Sequence, residues 1–119
     1  MPTHVVLAHD ENVFLRACEF SLTHAGYIVE AFDNSMSALS RLEQSEHVEV
    51  LVTRTQFPTG QPNGVALANM ARRHKPGIKV VITSVPEMAK HGQGLGVVIQ
   101  APVSPAEVVK AVRQALSED

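Results

Sequence analysis

The sequence has a single cysteine, Cys18, among 119 residues. No internal disulfide can form, which suits a reducing, cytoplasmic compartment. Basic charge is not in excess: Lys and Arg number 10 against 12 Asp and Glu, a formal net charge of −2. Without a surplus of cations to neutralise phosphates, no nucleic-acid partner is expected. No apolar run is long enough to cross a membrane. The opening Met-Pro-Thr-His lacks the charged and apolar regions of a signal peptide, so none is expected. The six histidines, His4, His9, His24, His47, His74 and His91, include no short-spaced ligand pair, so no zinc site is expected. Gly92, Gly94 and Gly96 precede a strand pattern and do not open a helix after one, which excludes a dinucleotide fingerprint. Internal repeats, low-complexity segments and linkers are also missing. The composition that remains, 45% hydrophobic and 18% charged, is that of one globular domain over residues 1–119. A chain of this size buries a core without metals or disulfides.

The apolar residues alternate between two patterns. Short β-branched runs at Val5–Ala8, Tyr27–Ala31, Val48–Thr53, Ile78–Thr83 and Val97–Gln100 read as buried strands. Between them, residues recur at helical spacing: Phe14, Ala17, Cys18 and Leu22, then Met36, Leu39 and Leu42, then Val65, Leu67, Ala68, Met70 and Ala71. Gly26 stops the first helix, the choice of Asp33, Asn34 or Ser35 caps the second, and Pro76-Gly77 ends the third after the basic cluster Arg72–Lys75. Asp10 and Glu11 are placed for the positive end of the first helix. Ser84 with Glu87, and Ser104-Pro105 with Glu107, both have the spacing of a capping box. The first predicts a short helix cut off by the glycines, the second a final helix carrying Val108, Val109, Val112, Ala115 and Leu116. Lys110, Arg113 and Gln114 are expected on its solvent side. Strand–helix alternation with short links predicts an α/β fold, a parallel sheet covered on both faces.

Leu7-Ala8-His9-Asp10-Glu11 after the first strand, Phe57-Pro58 with Gly64 after the third, Ile82-Thr83-Ser84 at the fourth and Ala101-Pro102 after the fifth form an ordered set. In their order and spacing the chain resembles the receiver domain of two-component response regulators, over essentially its whole length. The resemblance implies a doubly wound, five-stranded, flavodoxin-like sheet of order 2-1-3-4-5. It also implies a family chemistry of phosphoryl transfer from a histidine kinase to an aspartate, with a divalent cation.

The residues at those positions depart from the family. The acceptor aspartate falls four residues before the Pro of the loop after strand three, which here is Arg54; its neighbours are Thr53 and Thr55. A guanidinium stays protonated and is no acceptor. The acidic pair after strand one becomes His9-Asp10, and the lysine before the Pro after strand five becomes Ala101. Thr83 matches the family's switch hydroxyl, and Val98 stands where an aromatic often lies. Magnesium wants an octahedron of oxygens, so no metal or other cofactor is expected. The reading is a pseudo-receiver, not an enzyme, with a degenerate pocket of His9, Asp10, Arg54, Thr83 and Ala101. Arg54 is expected either to pair with Asp10 or to point into solvent. His9 carries the possibility of a pH response, set against a silent replacement. Cys18 is expected to be a buried small hydrophobe.

Two functions follow. In the first, the domain has no output domain of its own and signals by contact with a kinase or regulator, or as a homodimer, through the fourth helix, fifth strand and last helix. That surface rests on fold analogy. In the second, the crevice at the strand ends senses an anion or small metabolite. No membrane partner is expected for either.

Overall fold

The computed structural model describes residues 2–117. Strands β1 (His4–Ala8), β2 (Ile28–Phe32), β3 (Val48–Arg54), β4 (Lys79–Ser84) and β5 (Val97–Gln100) alternate with helices α1 (Asn12–His24), α2 (Ser35–Gln44), α3 (Gly64–His74) and α4 (Pro105–Ser117). A run of 3-10 turns, Pro86–Gly92, lies between β4 and β5. The sheet is parallel with strand order 2-1-3-4-5, as the family resemblance implies.

Side chains alternate across a strand, and both faces of this sheet are apolar. Val5, Leu7, Val50, Val52 and Val81 pack under α1 and α4, against Leu15, Cys18, Leu22, Val108 and Val112. Val6, Ala8, Leu51, Val80 and Ile82 pack under α2 and α3, against Ala38, Leu42, Leu67 and Ala71. The continuous apolar character of the strands therefore reflects two cores, one on each side.

Three details correct the sequence expectations. In α1 the deepest residues are Leu15, Cys18 and Leu22, while Phe14 and Ala17 are half-buried. In α2 the buried stripe is Ala38 and Leu42, and Met36 is exposed. Each stripe is rotated by about one residue, because Cα–Cβ bonds tilt toward the helix N-terminus and packing selects the face. The third concerns Ser84, which is the last residue of β4 and caps no helix. Its hydroxyl donates to the Val85 carbonyl oxygen, and the turn that follows is 3-10 with no side-chain cap. Gly92 explains part of this: a Cβ there would lie 3.0 Å from Ile82 Cδ1 and 3.1 Å from Val98 Cγ2, so the segment presses onto β4 and β5. The box at Ser104 does form: Ser104 N–H donates to Glu107 Oε1 (2.9 Å) and Glu107 N–H donates to Ser104 Oγ (3.2 Å).

Candidate functional site

Parallel register aligns the C-terminal ends of the central strands. Ala8 pairs with Thr53 of β3 and with Phe32 of β2, and Arg54 pairs with Thr83 of β4. Strand order reverses between β1 and β3, where open α/β sheets form their crevice. His9 and Asp10 leave β1 directly beside Arg54, the final residue of β3.

Arg54 Nη1 donates to Asp10 Oδ1 at 2.6 Å. Both side chains are partly open, 31% and 29% exposed, so water screens the pair without dissolving it. Such a charge-assisted bond between the ends of two strands is worth about 1 kcal/mol. The solvent-facing alternative for Arg54 is not the conformation observed.

The backbone holds Arg54 tightly. Gly64 opens α3 with its N–H donating to the Thr55 carbonyl oxygen at 2.8 Å. A Cβ on Gly64 would sit 1.8 Å from the Arg54 carbonyl oxygen, so only glycine permits this approach. Asn63 caps the same helix by accepting the Ala66 N–H at 2.8 Å. Thr55 N–H and Oγ1–H both donate to the Thr83 carbonyl oxygen, joining β3 to β4 beyond the last strand pair. Gln61 reaches back across the loop, and its Oε1 accepts the Ser35 N–H at the start of α2. Sequence reasoning missed Gln61 altogether: no local pattern signals a bond across 26 residues.

His9 is 7% exposed and its ring lies 4.8 Å from that of Phe14. Its Nδ1 accepts the Glu11 backbone N–H at 3.0 Å, so Nδ1 is unprotonated. Burial, and next the Arg54 charge, lower its pKa below the ordinary imidazole value, against the opposing pull of Asp10 and Glu11. The expected electrostatic role for Glu11 at the start of α1 takes a different form: it is the N-cap residue, its side chain caps nothing, and His9 takes up its N–H. Cys18 is buried, and burial pushes its thiol up to about 12.

Thr83 is buried at the floor of a cleft of about 280 Å³. His9, Phe14, Arg54, Val85, Pro102 and Val103 line it as well. Ala101 is exposed at the rim and its N–H donates to the Ser84 carbonyl oxygen at 2.7 Å. The structure thus gathers His9, Arg54, Thr83 and Ala101 around one cleft, with Asp10 held at its edge by Arg54. This donor set does not fit a hard divalent cation. Asp10 is already bound to a guanidinium, and among the described residues no group of three or more His, Cys, Asp or Glu could hold a metal ion.

No protein-family model matches the sequence. Among curated proteins, it is similar to the response regulator receiver protein CpdR of Brucella abortus (strain 2308). The two are 36% identical over 77 residues, which are 65% of this chain and 62% of that relative. Among solved structures, a response regulator receiver protein from Sinorhizobium medicae WSM419 superposes with a TM-score of 0.85 at 29% identity, covering 97% of this chain and 94% of its own. A CheY-like receiver domain protein from Methanospirillum hungatei JF-1 gives 0.84 at 20% identity, covering 98% and 94%. The chain therefore has the fold of response-regulator receiver domains and is similar in sequence to receiver proteins of that kind.

Proposed function

We propose that this chain is a receiver-type module of two-component or phosphorelay signal transduction that works without phosphorylation, acting by contact with another signalling protein. The observation that carries this reading is the 2.6 Å bond between Arg54 and Asp10. At the place where the family resemblance implies an acceptor carboxylate and a metal, this chain has a fixed cation already bound to the one remaining carboxylate. The pair links the ends of β1 and β3 with no covalent event and so favours one arrangement of the pocket. Loss of the lysine at Ala101 and of the first carboxylate at His9 supports the same reading.

Output through the last helix is the fold analogy that goes with it. Lys110 and Arg113 are exposed on α4, next to β5 at the edge of the sheet. The partner is a kinase or regulator, or a second copy of the chain.

Incubation with acetyl phosphate and magnesium, followed by intact-mass measurement, tests the phosphorylation-independent part. No phosphoryl adduct is expected on the native chain. A stable, stoichiometric adduct would overturn it.

A further inference from the structure

The cleft beside Arg54 has a mixed lining. Arg54 and Thr83 supply polar groups, while Phe14, Val85, Pro102 and Val103 supply apolar surface. The guanidinium spends one N–H on Asp10 and has no other protein acceptor among the described residues. The Thr83 hydroxyl likewise has no partner among them. Yet no buried side-chain N or O lacks a partner among the described residues, so these unspent donors open onto the cleft and not into the core.

Charge and size narrow what can fill it. A planar guanidinium fork matches a carboxylate. Asp10 borders the site and Glu11 also lines it, so a doubly charged anion meets two carboxylates where a singly charged one meets less repulsion. About 280 Å³ lies at the lower edge of small-molecule sites, which limits the ligand to a small body. The methyl group of Ala101 leaves the rim free of charge and bulk.

We propose that this cleft binds a small monocarboxylate with an apolar body. The carboxylate lies on Arg54 and Thr83, and the body lies against Phe14, Val85 and Val103. Arg54 then serves Asp10 and the ligand together, so occupancy reinforces the link between β1 and β3. The inference rests on reading Arg54 as the fixed cation of an unphosphorylated pocket, and it adds the class of ligand.

Isothermal titration of the full chain with benzoate and with butyrate tests it, beside benzyl alcohol as the neutral isostere and inorganic phosphate as the compact anion. Benzoate or butyrate is expected to bind, with benzyl alcohol and phosphate at least about tenfold weaker. Arg54→Gln is expected to abolish the binding. Ala101→Phe, an exposed rim change that leaves the Arg54–Asp10 bond in place, is expected to weaken it by about tenfold or more. Arg73→Gln, exposed in the last turn of α3 and outside the cleft, is expected to bind as the wild type does. Absence of carboxylate binding, equal binding of benzyl alcohol, preference for phosphate, or unchanged affinity in Ala101→Phe would each overturn the proposal. A failed titration with no phosphoryl adduct removes the ligand alone; an adduct removes the underlying function as well.

Discussion

Arg54 puts a permanent positive charge at the end of β3, and everything close to it responds. Removing the guanidinium leaves Asp10 facing water, because that side chain is 29% exposed. The loss is therefore modest: Arg54→Ala is expected to destabilise the fold by about 1 kcal/mol, read from urea unfolding. A double-mutant cycle with Asp10→Asn isolates the pair itself. His9 gives a pH signature of definite sign. Its folded pKa lies below the ordinary value, so the unfolded chain takes up the proton first. Stability associated with neutral His9 is complete above the unfolded pKa, near 6.5, and falls as pH drops through that value toward the folded one. Replacing His9 by Asn is expected to flatten the melting profile in that window; an equally steep profile in the variant would assign the slope to other groups. Cys18, with its thiol near 12 and its side chain in the core, is expected to resist a thiol reagent at neutral pH until the chain unfolds.

Among the elements, the junction of β3 and α3 is the least forgiving. A methyl group at Gly64 would overlap the Arg54 carbonyl, a contact with backbone that no rotamer change relieves. Gly64→Ala is expected to destabilise by more than about 2 kcal/mol, measured by denaturant midpoint. Its neighbour Asn63 is an ordinary cap by comparison. The two serine boxes show how far local sequence carries. Ser104 sits before a helix whose apolar stripe packs onto the sheet, so its box forms, and Ser104→Ala is expected to remove about 1 kcal/mol. Ser84 has the same spacing to its Glu, but it is buried as the end of β4, where the ladder to β5 claims its backbone. Tertiary pairing there overrides a local cap. The rotated stripes of α1 and α2 have the same origin: spacing gives the period of a helix, but only packing chooses between adjacent faces, as Leu15 and Met36 show.

At the scale of the molecule, five apolar strands alternating with helical stripes were enough to read a parallel sheet covered on both sides. Strand order was not in that pattern; it came from the family resemblance, and hydrogen-bonded register bears it out. The residues of the cleft were legible because each lies at or just beyond the C-terminal end of a strand. Their joint geometry was not. That Arg54 turns inward to Asp10, that His9 folds its Nδ1 onto the next turn, and that Gln61 ties the loop to α2 depend on side-chain directions across separate strands. The central claim is that this receiver-type fold is whole and that its phosphate response is blocked at Arg54. The most direct test is a pair of melting curves, with and without magnesium plus beryllofluoride, for the wild type and for Arg54→Asp. The prediction is no shift for the wild type and a rise in melting temperature for the variant. A shift in the wild type itself would mean a working acyl-phosphate-like site, and would contradict the claim.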